Sequence, residues 1–435
     1  MEELRDRSLF IVFAYAKAGF GHLRVTDALR HGLPKGKIFF TLESQDQSVT
    51  ALHRLTSVHP ALRLLFEWTQ QGFPEELFTR VYRFYLRATT QKLSRQIKEF
   101  FQKQMTHPKT ILIICTHFGL AHQIGALKKR LIKEEKIDLR LIVQVTDDSP
   151  QKLWYVPEAD LLFVPSEYTK KKLLAYAHSQ NLRKVRCEVI SYPISPLLEE
   201  KITDEEYREK LAQVDPHHDV PLNVMIPISG AAVGMEYLLK LVKLLHERSS
   251  RFRFHILVKK TLYTQFFIKK LEALPYVRLH AYVRDRKMVD EYEREYETEH
   301  IALEITKPSE QLFKALLNPN EKGGSILLFT RPVGRQEYDN LDFLLRHHLI
   351  PSTEELHAIW KQSKTRWRGF SLPNKPEEAA QLIHWALQER VLLSMMECKS
   401  CPEITGYNAK ELRGDGVKEF WKRVLQYLQE KGKAV

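Results

Sequence analysis

The sequence predicts an α/β protein of two parallel-sheet domains, and three observations carry that reading. Strand-length apolar runs alternate with helical patterns through most of the 435 residues, which implies right-handed crossovers and a mostly parallel sheet. A polar, acidic, Pro-punctuated stretch at 199–221 interrupts the alternation, which then resumes. Each half opens on the same unit: an apolar run, a small-residue loop with two glycines, then a helix. With 43% hydrophobic residues the chain is also too long for one compact core, so two domains are expected.

In the first half the predicted strands are 9–14, 37–42, 110–116, 139–145, 161–164 and 186–190. The first of them runs into Gly19-Phe20-Gly21-His22 and a helix through Ala28-Leu29. Glycine lets the backbone turn sharply and approach a ligand closely. The helix behind it offers unpaired N–H groups and a positive dipole end to an anion. A Gly-x-Gly pair is equally the mark of a tight structural turn, so the loop alone does not decide.

The interval 48–105 breaks the rhythm and reads as a helical insertion, rich in Leu, Phe and Tyr with Arg54, Arg63, Arg80, Arg83 and Arg87 interleaved. Such a pattern fits a core, and it also fits an amphipathic surface at a lipid interface. The stretch 199–221 is the predicted linker between a first domain at 1–198 and a second at 222–415. The second domain carries strands at 222–228, 252–258, 277–282, 301–305 and 325–330, with a helix at 235–248. Residues 416–435 hold Val417, Phe420, Trp421, Val424, Leu425 and Leu428 at helical spacing, the signature of a packing helix. Two such domains facing a central cleft place a ligand beyond the C-terminal ends of both sheets.

The net charge of +13 and pI of about 9.3 favour an anionic partner: nucleic acid, anionic lipid or a phosphorylated ligand. No nucleic-acid motif accompanies the charge. Four cysteines in a chain of this length are not a disulfide framework. Cys398-Lys399-Ser400-Cys401 is a lone CxxC, half of what a closed zinc site needs. No apolar run approaches the roughly 18 residues that span a bilayer, and the N-terminus lacks an apolar signal region. A cytoplasmic protein, peripherally associated with the inner face of the membrane, is expected.

The residues able to carry chemistry sit at strand ends. In the first half these are His22, Thr116-His117 and Thr146-Asp147. In the second, Gly230 and Gly234 flank a loop into which a diphosphate could settle. Thr306-Lys307-Pro308-Ser309-Glu310 follows a strand, and Gly334, Gln336, Glu337 and Asn340 follow the next. A carboxylate there can accept from ribose hydroxyls and an amide can read a sugar or phosphate. Helix capping accounts for several of the same residues.

The order of these motifs resembles the glycosyltransferases that include monogalactosyldiacylglycerol synthase, processive diacylglycerol glucosyltransferase and the lipid-linked N-acetylglucosaminyltransferase of peptidoglycan synthesis. Gly19-Phe20-Gly21-His22 is similar to their N-terminal glycine-histidine loop, and Thr116-His117 to the threonine-histidine after a middle strand. Thr146-Asp147, Trp154, Pro157, Asp160 and Val164-Pro165-Ser166 resemble their threonine-aspartate segment. Thr306-Lys307-Pro308, Gly334, Gln336-Glu337 and Asn340 resemble their nucleotide-sugar motif. The likeness spans residues 8 to 350.

The resemblance implies a GT-B type architecture, two Rossmann-like domains with a lipid acceptor on the first and a nucleotide sugar, a UDP-sugar, on the second. It implies glycolipid synthesis with inversion, no cofactor and no bound metal in the active site. His22 and Asp147 are the expected catalytic residues. Gly230, Gly234, Lys307, Ser309, Gln336, Glu337 and Asn340 would hold the donor. Gly19, Gly21 and His117 would lie on the acceptor side. The chain departs from the family at Ser309-Glu310, where two glycines are expected, and at Phe313-Lys314-Ala315-Leu316, where an acidic residue is expected. A non-catalytic binder of a sugar nucleotide or lipid, or a nucleotide-sugar 2-epimerase, are the alternatives on the same architecture.

Overall fold

The computed structural model describes residues 4, 9–16, 20–43, 72–102, 109–228, 230, 232–363, 369–398, 411–412 and 414–432. It divides into two units: residues 1–195 with 410–435, and residues 196–409.

The first unit is built on a parallel sheet: β1 (Leu9–Tyr15), β2 (Phe39–Glu43), β3 (Thr110–Cys115), β4 (Asp138–Gln144), β5 (Leu161–Val164) and β6 (Arg186–Val189). Its spatial order is β2-β1-β3-β4-β5-β6. β3 is buried from Ile111 to Cys115 and β5 along its whole length. Strands covered on both faces read as unbroken apolar runs, which is why the sequence located them. The helices are α1 (Phe20–His31), α2 (Gly72–Ala88), α3 (Gln91–Gln102), α4 (Phe118–Glu135) and α5 (Glu167–Ser179). Of the predicted helical insertion, α2 and α3 are described; 44–71 and 103–108 lie outside the described residues.

The second unit opens with α6 (Asp204–Val214) and continues through β7 (Leu222–Pro227), α7 (Met235–Arg248), β8 (Phe252–Lys259), α8 (Gln265–Glu272), β9 (Val277–Tyr282), α9 (Asp285–Thr298), β10 (Leu303–Thr306), β11 (Ile326–Phe329), α10 (Arg335–Arg346), α11 (Thr353–Gln362), α12 (Pro376–Gln388) and α13 (Val391–Cys398). Its parallel sheet has the order β11-β10-β7-β8-β9. The core lies between β7, β8 and the helices α7, α8 and α12, with Phe252, Phe254, Leu241 and Leu245 fully buried.

One boundary differs from the sequence reading, and one element left without a partner there finds it. The stretch 199–221 contains α6, whose N-terminus is closed by a reciprocal capping box between Thr203 and Glu206. Lys210 on that helix is buried and donates to the carbonyls of Pro319 (3.2 Å) and Glu321 (3.0 Å), so α6 is docked within the second unit. The amphipathic segment α14 (Gly416–Gly432) packs on the first unit, not the second. Trp421 Nε1 donates to the Leu29 carbonyl at 2.8 Å, and the Phe420 ring lies tilted against Phe163 with centroids 5.0 Å apart.

Candidate functional site

In the first unit the strand order reverses between β1 and β3, because the chain runs outward to β2 and then returns to the other side. A crevice opens at such a point beyond the C-terminal strand ends. His22 lies in the first turn of α1, after β1, and His117 lies between β3 and α4. Thr116 N–H donates to the Ala14 carbonyl at 3.1 Å, joining the two strand ends. The hydroxyls of Thr26 and Thr116 both donate to the His22 carbonyl, at 2.7 and 3.0 Å, and lie 2.9 Å from each other. The first turn of α1 is thereby fixed to the end of β3.

On this support the two imidazoles meet edge to face, with ring centroids 4.9 Å apart, and His22 also lies 6.2 Å from the ring of buried Trp154. His117 is the N-cap of α4, and its Nδ1 accepts from the Leu120 N–H at 3.4 Å. Burial first, and His22 second, hold His117 well below the ordinary histidine range, so its ring is neutral. His22 is half-buried, with Nδ1 3.2 Å from the Thr146 hydroxyl. That hydroxyl donates to Asp147 Oδ2 at 3.3 Å. It therefore accepts from His22 Nδ1–H, which places the basic lone pair of the ring on Nε2. The line from Asp147 through Thr146 to His22 has the logic of a base oriented by a carboxylate.

The neighbouring Asp148 does something different. It is buried and accepts from the hydroxyls of Ser166 and Thr169, which fixes the start of α5. Gly21 lies in the first turn of α1, half-buried. Gly19 lies outside the described residues.

In the second unit the order reverses between β7 and β10. Gly230 and Gly234 follow β7; Tyr263 OH donates to the Gly230 carbonyl at 2.9 Å. Gly234 (φ +83°) precedes α7 and Gly334 (φ +86°) precedes α10. Both positions favour glycine, and each opens a helix N-terminus. After β10, Lys307 Nζ lies 3.5 Å from Glu337 Oε1, and the Val333 N–H donates to Glu337 Oε2 at 2.5 Å. Burial raises the Glu337 carboxyl above the ordinary glutamate value, with Lys307 and the Val333 N–H acting against it. Asn340 is buried and its Nδ2 donates to the Pro308 carbonyl at 3.3 Å. Ser309 and Glu310 begin a short 3-10 turn, Glu310–Leu316. Gln336 stands in the first turn of α10, beside Glu337.

The predicted donor residues Lys307 and Ser309, in the loop after β10, and Glu337 and Asn340, on α10, are thus drawn together by the Lys307–Glu337 and Asn340–Pro308 contacts. Lys314, in the segment where the family has an acidic residue, is buried in an ion pair with Glu304 at 2.8 Å, over the ring of Tyr296. It is a structural cation of the core. Sequence reasoning named Thr146 only as part of a motif; its position directly after β4 was the available signal for a partner of His22.

The insertion also resolves into a definite surface. On α2, Leu77, Val81, Phe84 and Tyr85 are exposed, Phe84 to 76%. Their spacing makes one stripe of the helix. The arginines of the same helix turn to the protein: Arg80 Nε donates to Gln180 at 3.0 Å, Arg83 to Tyr176 OH at 3.3 Å, and Arg87 pairs with Glu158 at 2.8 Å. The helix keeps its cations for anchoring and leaves its apolar side uncovered. No helix among the described residues is long and apolar enough to cross a membrane.

Residues 41–190 match the family model described as monogalactosyldiacylglycerol (MGDG) synthase. No curated protein sequence matches the chain. Among solved structures the chain is similar to S. aureus MnaA in complex with UDP, at 11% identity and TM-score 0.50, with 98% of this chain and 97% of that one covered. UDP-GlcNAc 2-epimerase from Neisseria meningitidis bound to UDP-GlcNAc is 11% identical over 96% and 100% of the two chains, with TM-score 0.48. Arabidopsis thaliana UGT89C1 complexed with UDP is 12% identical over 95% and 98%, with TM-score 0.47. At such identity the likeness to MnaA bears on fold alone. The family match bears out the glycosyltransferase resemblance over 41–190, and the chain has two Rossmann-like units in a glycosyltransferase-type fold.

Proposed function

We propose that this chain transfers a sugar from a nucleotide sugar, carried on UDP, to a membrane lipid such as diacylglycerol, with inversion at the anomeric carbon. The observation that carries the reading is the Asp147–Thr146–His22 line at the strand-order reversal of the unit that holds the MGDG synthase match.

In this reading His22 Nε2 takes the proton of the acceptor hydroxyl as its oxygen attacks the sugar C1. The bond from C1 to the diphosphate breaks, and the diphosphate leaves with the electron pair. Thr146 and Asp147 stabilise the imidazolium that forms. The second unit receives the growing negative charge at the N-termini of α7 and α10, behind Gly234 and Gly334. Glu337 takes the ribose, Gln336 the phosphate or sugar, and Lys307 supplies positive charge beside them.

The exposed stripe of α2 is the surface we assign to the lipid. The net charge of +13 adds attraction to an anionic leaflet, worth about 1 kcal/mol for each basic residue near the surface. Both features support a position on the cytoplasmic membrane face in this reading. A second reading, binding of a sugar nucleotide without turnover, is favoured by Ser309-Glu310, which put side chains where the family has glycines.

Sugar transfer from UDP-galactose, UDP-glucose and UDP-N-acetylglucosamine to diacylglycerol in anionic vesicles tests the proposal. Product with at least one donor, lost in His22→Ala, supports it. A thermal shift with UDP but no product with any donor supports binding without turnover.

A further inference from the structure

Two histidines and a carboxylate meet inside the second unit, among residues to which the sugar-transfer reading gives no part. His255 on β8, His280 on β9 and Glu295 on α9 are all buried, and their ligand atoms lie within 4.8 Å of one another. Glu295 Oε2 is 2.6 Å from His255 Nδ1 and 3.3 Å from His280 Nε2. The other nitrogen of each ring faces an acceptor. His280 Nδ1 is 2.8 Å from Glu291 Oε1, and His255 Nε2 is 3.3 Å from Asn223 Oδ1.

With each outward nitrogen donating its N–H to its acceptor, a ring that carries a single proton turns the lone pair of its inner nitrogen toward a carboxylate. Lone pairs and an anion at this spacing require positive charge between them. A proton on each inner nitrogen is one source. It serves His280 poorly, because His280 Nε2 is buried and has no aligned hydrogen-bond acceptor. Glu295 Oε1 is likewise buried without a hydrogen bond.

We propose that His255, His280 and Glu295 bind a divalent cation of the zinc class. Two imidazoles and one carboxylate are a known three-ligand set for zinc, with a water as the fourth ligand. Tetrahedral zinc holds its ligands about 3.3 Å apart, the spacing between His280 Nε2 and Glu295 Oε2, whereas His255 Nδ1 and Glu295 Oε2, at 2.6 Å, would have to move apart to admit the ion. Glu291 plays the orienting carboxylate behind a metal-bound histidine. Glu291 and Glu295 bring two negative charges, one of them offset by Arg294, whose Nη2 also stands 3.7 Å from Glu295 Oε1. Arg294 pairs with Glu291 from the solvent side, half-exposed. A cavity of about 800 Å³, lined by His255, Asn223, Arg253, Arg278, Glu299 and His300 but not by His280 or Glu295, reaches the cluster only at His255. It lies at the N-terminal ends of β7, β8 and β9, at the other end of the sheet from Gly230 and Lys307. The ion would brace β8, β9 and α9 and take no part in sugar transfer.

The test uses the full chain with Cys398→Ser and Cys401→Ser, so that those thiols supply no ligands. The protein is stripped with EDTA, exchanged into chelator-free buffer and given zinc chloride alone. We expect one zinc per chain by elemental mass spectrometry and a rise in melting temperature that EDTA reverses. His280→Gln and Glu295→Gln should lose both, and Glu291→Gln should weaken binding by about 10–100-fold. Absence of zinc from the stripped and reloaded wild-type background overturns the proposal, as does zinc content unchanged in both ligand variants. Stability that ignores zinc but falls as pH rises through the histidine range also overturns it, in favour of a proton-bridged cluster.

Discussion

The rings of His22 and His117 stand edge to face with centroids 4.9 Å apart, and only one of them is arranged to gain a proton. His117 is spent on capping α4 and is held neutral by burial and by its neighbour. His22 has the Thr146 hydroxyl and Asp147 behind it. We expect His22→Ala to lower kcat by about 10²–10⁴-fold, the range for a general base, while moving the melting temperature by a few degrees at most. His117→Asn keeps a capping acceptor and should cost less than His22→Ala. Steady-state kinetics beside thermal unfolding of the two variants checks the division.

Stability should fall in acid through histidines as well as carboxylates. His122 is buried with its Nε2 2.9 Å from the Leu153 carbonyl. Burial, then the nearby Arg83, lower its pKa to about 3. The unfolded chain takes up this proton near pH 6.5 and the native protein does not, so below that pH the unfolded state binds more protons. The stabilising contribution is complete above the unfolded value and is lost as pH falls toward the folded one. Each such histidine contributes a slope of about 1.4 kcal/mol per pH unit in that window. Denaturant unfolding between pH 7 and pH 4 should give a shallower slope for His122→Gln than for wild type.

On the donor side, Glu337 is buried against Lys307 and the Val333 N–H. We expect UDP to raise the melting temperature of wild type and Glu337→Ala to abolish that rise. Lys307→Ala should raise the Kd for UDP at least tenfold, by removing a cation beside the phosphates. Calorimetric titration with UDP distinguishes these losses from unfolding.

The stripe on α2 predicts a clean separation of membrane binding from stability. Phe84 and Leu77 are exposed, so Phe84→Glu with Leu77→Glu should change folding free energy by about 0.5 kcal/mol or less for each site. The same double variant should lose co-sedimentation with anionic vesicles. Retained sedimentation would move the lipid surface elsewhere.

Trp421 should be one of the costliest positions in the chain. It is buried, lies 6.4 Å from Phe13 between centroids and donates to Leu29. Trp421→Ala should lose about 3–5 kcal/mol, read by denaturant unfolding of the full chain.

The central strands were legible because buried parallel strands are continuous apolar runs, as at 161–164; the edge strand 277–282 shows instead by alternation of apolar and polar residues, both match the observed limits, and the others differ by a residue or two. Helix 235–248 and the stripe from Val417 to Leu428 were legible for the same reason, a period set by one buried face. What periodicity could not say is which unit the last helix serves, since that depends on the ring and carbonyl that Trp421 meets. The stretch 199–221 misled through composition. Its acid and proline content outweighed Thr203 and Glu206, the capping box that was already in the sequence. The pairing of Thr146 with His22 and the meeting of His255, His280 and Glu295 were hidden for another reason. They join residues from separate strands and helices, and only register brings them together.

The docking of α14 beneath β1 and β5 has a consequence for how the protein is made. The N-terminal sheet needs Trp421 and Phe420 to cover one face, and the ribosome delivers them only after residues 196–409. At about 5–20 residues per second that interval is roughly 10–40 s. Throughout it the sides of Phe13 and Phe163 that Trp421 and Phe420 cover stay open, a window for chaperone capture or aggregation that closes when α14 arrives.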